Sequence, residues 1–177
     1  MRRVSPLVLL AFTTAVAADS VQTEAVGIRF AAPREWKRVP APSELRAAQY
    51  RIPRAPGDGD DGELVLFFFG KGKGGSADDN VTRWCGQFSE PDGRAPRDMA
   101  TVTSRTVRGL RVTAVDLSGT YLGGAPGSAP RPRFRLLAAV IEGEGGPWFF
   151  KAVGPSATIG AAKPRFDALV NSLQAHP

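Results

Sequence analysis

The chain contains one histidine and one cysteine, and their positions limit the chemistry that its side chains can perform. His176 is the residue before the last, where a chain end does not easily hold an imidazole beside a nucleophile and an orienting carboxylate. One histidine and one cysteine also cannot supply the usual four-ligand set of a zinc site. The sequence therefore predicts a non-catalytic protein with no metal site and no cofactor.

Cys85 is the only thiol of the chain, and it has two interpretations. In an oxidising compartment an unpaired cysteine can cross-link two chains. However, Val81, Trp84 and Phe88 recur with Cys85 at the spacing of one helical face, where a thiol acts as a small apolar group. We interpret Cys85 as a buried core residue.

A glycine-rich segment at residues 70–76, Gly-Lys-Gly-Lys-Gly-Gly-Ser, is the clearest candidate for ligand binding. It follows an apolar run and precedes a helical pattern, the context in which backbone N–H groups can bind phosphate. It lacks the lysine that a Walker A motif places between its last glycine and its serine. Two interpretations remain: a solvated connector, or an anion or partner contact made by Lys71, Lys73 and Arg83.

Four acidic side chains that could offer oxygen ligands to calcium lie in one run: Asp58, Asp60, Asp61 and Glu63. The run departs from the EF-hand loop, because Gly62 stands where that loop needs its third acidic ligand. We therefore predict a solvated turn between two strands at this position.

Alternating or continuous apolar patterns predict six or seven strands, among residues 26–30, 48–52, 63–69, 102–107, 110–121, 134–142 and 148–153. A first helix is predicted to begin near Ser76 or Asp78, with Ser76 and Asp79 at the spacing of a capping box. A final helix carries Phe166 and Leu169 on one face, with Pro164 in its first turn. The short links between strands favour antiparallel pairing. The predicted fold is α+β, with a mainly antiparallel sheet of six to seven strands packed against helices.

Residues 1–18 have the three-part layout of a secretory signal peptide. Arg2 and Arg3 give a positive start, an apolar run covers residues 4–16, and small residues permit cleavage after Ala17 or Ala18. An uncleaved anchor is the alternative, but the run is short for a helix that spans a bilayer. We expect an exported protein, periplasmic or extracellular, with one domain over residues 19–177 and no stable membrane insertion.

The formal net charge of the chain is +6, but its basic residues are scattered along the sequence. A nucleic-acid binder would more often gather them on one helix or loop together with aromatic residues. The charge therefore argues against nucleic acid as a partner and favours a solvated surface with weak attraction to anionic polymers.

Two short aromatic patterns stand out, Phe30-x-x-Pro33-x-x-Trp36 and the run Trp-Phe-Phe-Lys-Ala-Val-Gly-Pro at residues 148–155. Together with the final helix, they resemble those of the PsbP-like superfamily. That superfamily includes the extrinsic PsbP subunit of the oxygen-evolving photosystem and a yeast Ran-binding import factor. The resemblance implies an αβα sandwich over most of residues 19–177, and relatives that act as binding or stabilising modules.

Two functional classes follow from these features. The favoured class is an exported monomer whose sheet face, or whose loops at residues 70–75 and 122–132, bind an unidentified envelope protein or an anionic polymer. The alternative is a small-ligand-binding protein or weak hydrolase with a pocket between the sheet and the helix at residues 81–88.

Overall fold

The computed structural model describes residues 19–90, 92–123 and 127–176. The predicted signal peptide at residues 1–18 lies outside the described residues, and so does the middle of the predicted loop at residues 122–132. Among the residues that are described, no helix has both the length and the apolar character needed to cross a bilayer.

Antiparallel strands and three helices make up the described chain. In sequence order they are β1 (Ser20–Ala25), β2 (Ile28–Pro33), β3 (Lys37–Val39), β4 (Arg46–Ile52), β5 (Gly62–Phe67), α1 (Ala77–Cys85), β6 (Phe88–Ser89), α2 (Pro96–Met99), β7 (Thr101–Val107), β8 (Leu110–Tyr121), β9 (Arg131–Glu142), β10 (Trp148–Pro155), α3 (Ser156–Asn171) and β11 (Gln174–Ala175). The larger sheet has the order β3-β4-β5-β10-β9-β8-β6, with β7 also paired to β8. The smaller sheet has the order β1-β2-β11. These pairings confirm the predicted α+β class and its antiparallel sheet.

Strand β9 is buried on both of its faces, which explains why its sequence is a continuous apolar run. Leu137 and Ile141 belong to one core cluster, whereas Leu136 and Val140 belong to another, and each is at most 1% exposed. Because side chains alternate along a strand, these two clusters lie on opposite sides of the sheet. Helix α3 and the smaller sheet cover one side, here called the α3 face. Helices α1 and α2 lie on the other side, the α1 face.

Helix α1 begins where its sequence predicts, but it ends at Cys85, so Phe88 lies in β6 and its predicted helical position was wrong. Ser76 and Asp79 complete a capping box, in which the Asp79 N–H donates to Ser76 Oγ at 3.1 Å and the Ser76 N–H donates to Asp79 Oδ2 at 3.1 Å. The Ser76 hydroxyl also donates to Asp79 Oδ2 at 2.6 Å, and this bond, together with that from the Ser76 N–H, holds the pKa of Asp79 below its ordinary value. Trp84 and Cys85 are buried against the sheet, which confirms the interpretation of Cys85 as a core residue.

Helix α3 begins earlier than its pattern predicts, because its N-terminal cap comes from a distant part of the chain. The helix starts at Ser156, so Pro164 lies in its interior and the predicted first-turn position of Pro164 was wrong. Pro155 at the N-cap offers no capping side chain. Instead, Asp58 Oδ2 accepts hydrogen bonds from the Thr158 N–H at 2.9 Å and from Thr158 Oγ1 at 2.6 Å. The acidic turn at residues 58–63 therefore contributes a helix cap.

The predicted strand at residues 26–30 was misplaced at its start. Val26 and Gly27 form the turn between β1 and β2, with φ of 48° and 77°. A two-residue hairpin turn of this kind usually carries Asn or Asp followed by Gly, so Val26 gave no sequence signal for a turn.

The predicted number of strands was also too low. The strands that the patterns missed are short or lie largely exposed: β1, β3, β6 and β11.

The remote cap of α3 predicts a measurable loss of stability. Replacing Asp58 with Ala removes the acceptor for two N-terminal groups of the helix, so Asp58→Ala should lower the free energy of unfolding by about 1–2 kcal/mol. Denaturant titration measures this change. Asp60→Ala is the matched control, because Asp60 is exposed in the same turn and bonds to no described residue. An equal effect of both variants would contradict the capping role.

Candidate functional site

The two lysines singled out in the glycine-rich loop lie on the surface. Lys71 and Lys73 are exposed, and neither side chain pairs with a carboxylate among the described residues. The loop itself is tethered, since the Gly72 N–H donates to the carbonyl of Gly146 at 2.8 Å. The helix that follows offers little to an anion, because the Asp79 carboxylate already occupies its first turn. Any anion contact of this loop therefore depends on the lysine side chains.

The third predicted residue, Arg83, connects the loop with the middle of the α1 face. Arg83 Nη2 donates to Asn80 Oδ1, and the buried Asn80 amide donates to the Gly74 carbonyl at 2.9 Å. The charge of Arg83 also lowers the pKa of Lys151 on β10. The structure thus places Arg83 near Lys151, and no hydrogen bond or ion pair between described residues joins Arg83 to Lys71 or Lys73.

Lys151 is a partly buried cation within the sheet. It lies on the α1 face of β10, between Val65 of β5 and Ala138 of β9 in the strand register. Loss of hydration, together with the nearby charge of Arg83, lowers the pKa of Lys151 from 10.5 to about 8. Its Nζ donates to Gln87 Oε1 and lies 5.7 Å from the centre of the Tyr121 ring. No carboxylate of the described residues forms an ion pair with this ammonium group.

Two β-bulges bring two arginines onto the same face. Register shifts occur between Arg46 and Ala48 in β4, and near Gly119 and Tyr121 where β8 pairs with β9. Without the first shift, Arg46 would share the α3 face with Ala48, because side chains alternate along a strand. The second shift has the same effect on Arg131. These bulges therefore change the face on which each arginine lies.

Aromatic rings support both arginines on the α1 face. The Arg46 guanidinium lies 5.6 Å from the centre of the Phe67 ring. The Arg131 guanidinium lies 5.9 Å from the centre of the Tyr121 ring and 5.0 Å from that of Phe134. Such contacts hold a cation in place beside the face of an aromatic ring.

We call these four cations, Arg46, Arg83, Arg131 and Lys151, the basic face. Glu63 is the carboxylate that influences the pKa of both Lys151 and Tyr121. Glu63 is already engaged, because its Oε1 accepts from Gln49 Nε2 at 2.6 Å and from Arg46 Nη1 at 3.3 Å. The basic face consequently carries more positive than negative charge and can bind an anion.

Sequence reasoning missed three of these four residues. Lys151 carried a usable signal, because it is the only charged residue in an otherwise apolar run from Trp148 to Val153. A lysine in a central strand either costs stability or serves a function. Arg46 and Arg131 carried no such signal, since the bulges that direct them depend on pairing with distant strands.

The α1 face is closely packed beneath helix α1. The space between α1 and the sheet is filled by side chains such as Trp84 and Phe149, so the predicted pocket beside residues 81–88 is closed. Loss of hydration raises the pKa of the Cys85 thiol, which makes it a poor nucleophile. The described residues contain no cluster of three or more histidine, cysteine or acidic side chains that could hold a metal ion.

Comparison with solved structures supports the fold that the aromatic patterns implied. The solution structure of cyanobacterial PsbP (CyanoP) from Synechocystis matches with a TM-score of 0.56 and 14% identity, over 97% of this chain and 100% of that one. The crystal structure of PA94 from Pseudomonas aeruginosa, a protein of unknown function, matches with a TM-score of 0.50 and 11% identity, over 89% and 98% of the two chains. The chain matches no protein-family model and no curated protein sequence. These likenesses show a PsbP-like fold.

The environment of Lys151 predicts how stability depends on pH. The folded-state pKa of about 8 lies below the ordinary lysine value of 10.5, so the folded protein loses this proton first as pH rises. The burial cost is therefore complete below about pH 8, and it disappears between about pH 8 and pH 10.5.

The variant Lys151→Met isolates this effect. We expect it to be more stable than the original protein at pH 7, on the order of 1–2 kcal/mol, with the difference shrinking towards pH 10. Urea titrations at several pH values measure the difference, and Lys37→Met on the exposed edge strand β3 controls for the loss of a charge. A difference independent of pH would contradict the assigned environment.

Burial of Cys85 predicts slow reaction with thiol reagents. In the folded protein the thiol should react about 100-fold more slowly than in denaturant, because exposing a core residue requires local unfolding. A colorimetric disulfide reagent measures the rate. A protein with Cys85→Ala and Ser43→Cys supplies an exposed thiol for comparison. Equal rates for the two proteins would show that Cys85 is accessible.

Proposed function

We propose that this protein is a non-catalytic binding module whose basic face binds an acidic segment of a partner protein. The observation that carries the proposal is the cluster of cations around Lys151, in which the carboxylate that influences Lys151, Glu63, is already bonded to Gln49 and Arg46. A carboxylate-rich segment would supply the missing charge.

The environment of Lys151 favours an anionic partner energetically. Its ammonium group has lost hydration and is compensated by an amide and an aromatic ring, which are weaker partners than a carboxylate. A bound carboxylate would stabilise the charged form and raise the pKa of Lys151 again. Part of the cost of burying the lysine would thereby be recovered on binding.

The shape of the basic face favours a protein segment over a small molecule. Its cations belong to four separate elements, β4, α1, β9 and β10, so a ligand must extend across the sheet to contact several of them. Aromatic rings already hold Arg46 and Arg131 in place, which reduces the side-chain entropy that these arginines lose on binding. An extended acidic segment meets both requirements.

The compartment of the proposed partner follows from the N-terminal pattern. If residues 1–18 direct export, the partner is an envelope or extracellular component, and an anionic envelope polymer is the second candidate. Lys71 and Lys73 would add a peripheral contact at the edge of α1 in this arrangement.

Crosslinking capture from the envelope fraction tests this proposal. The double variant Arg46→Gln and Arg131→Gln should lose about tenfold or more in apparent affinity for its captured partner, because two charge-assisted contacts disappear. Lys71→Ala with Lys73→Ala should have a smaller effect and reports on the loop. Arg34→Gln is the matched control, since Arg34 follows the smaller sheet on the opposite side.

Salt separates the two candidate partners. Capture of one stoichiometric protein that survives high salt and depends on the bulge arginines supports the proposal. Capture that disappears with salt for every variant alike would indicate loose attraction to an anionic polymer. Unchanged capture by the double variant would overturn the role of the basic face.

A further inference from the structure

A second polar site lies on the opposite side of the sheet, where α3 does not reach the outer strand β7. A cleft of about 440 Å³ separates β7 and β8 from α3. It exists because the sheet presents short side chains here, Thr101 and Thr103 from β7 and Ala114 from β8. Ligand sites commonly have volumes of about 300–1,000 Å³, so the cleft can hold a small molecule.

The base of the cleft is apolar and its rim is polar. Leu137 and Phe166, which are 1% and 2% exposed, form part of the lining beneath the opening. The threonine side chains of β7 and the charged side chains of α3 surround them. Such a combination suits a molecule that has an apolar body and one polar end.

The charges around the cleft leave one cation without a carboxylate. Asp116 accepts hydrogen bonds from Arg135 at 2.8 and 2.7 Å, and Lys163 lies 3.0 Å from Asp167, so these four charges compensate one another. Arg105 differs from them. Its Nη2 donates to the neutral amide oxygen of Asn171 at 3.2 Å, and no described carboxylate forms an ion pair with it.

We propose that this cleft binds a small monocarboxylate with an apolar body. The carboxylate would replace Asn171 as the partner of Arg105, because a guanidinium pairs with a carboxylate through two parallel hydrogen bonds. The apolar body would lie over Phe166 and Leu137, beside the threonines of β7. A dianion fits less well, since Asp116 and Asp167 also line the cleft. This site is independent of the basic face, which lies on the other side of the sheet.

A titration with benzoate and benzamide, followed by amide NMR spectra of the whole protein, tests the proposal. Benzoate should give saturable shifts in β7 and α3, and benzamide, which has the same shape without the charge, should bind about tenfold more weakly or not at all. No saturable shift at about 10 mM benzoate, or equal binding of the two compounds, would overturn the proposal.

Two variants locate the site within the cleft. Arg105→Gln should weaken benzoate binding about tenfold while leaving benzamide binding unchanged. Thr103→Leu keeps the arginine but fills the cleft, and it should weaken the binding of both compounds. Arg111→Gln is the matched control, because Arg111 lies in β8, the strand that pairs with β7, but does not line the cleft. If both Arg105→Gln and Thr103→Leu kept full affinity for benzoate, the binding site would lie elsewhere and the proposal would be contradicted. Amide NMR shifts confined to the basic face would contradict it as well.

Discussion

Burial of β9 and β10 on both faces is the constraint on which the rest of the fold depends. Trp148, Phe149 and Phe150 are adjacent in sequence, are each at most 1% exposed, and divide between the two core clusters. A shift of pairing by one residue would exchange the two sets of side chains, so the register is strongly specified. Both apolar faces of the larger sheet must be buried, which explains why α3 and the smaller sheet pack on one face and α1 on the other. Polar groups that could bind a ligand are therefore expected where the helices and the smaller sheet no longer cover the larger sheet.

Both proposed binding sites lie where a cover ends. On the α1 face, the basic face joins Arg83 of α1 with the cations of β4, β9 and β10 beside the helix. On the α3 face the helix does not reach β7, and the cleft beside Arg105 occupies that margin. The two sites differ in design, because rings and bulges arrange the cations of the first, whereas short side chains create the space of the second.

The shared fold and the proposed function rest on different residues. The aromatic patterns that resemble PsbP-like proteins supply packing, with Phe30, Trp36 and Phe150 in one buried cluster. At 14% identity to cyanobacterial PsbP, such residues preserve an architecture and say little about a partner. Lys151 is the exception, since it belongs to the same run of sequence as the aromatic core and also forms the centre of the basic face.

The sequence by itself determined the elements whose causes are local. The capping box of Ser76 and Asp79, the apolar period of α1 and the continuous apolar runs of the central strands are complete within short segments, so the start of α1 and the long strands of the larger sheet could be predicted. Only the tertiary structure decided what depends on partners far along the chain. Asp58 caps a helix 100 residues away, and pairing with neighbouring strands creates the bulges that direct Arg46 and Arg131. A residue type and its spacing fix a local conformation, but the face on which a side chain lies is set by the register of strands that the local sequence does not contain.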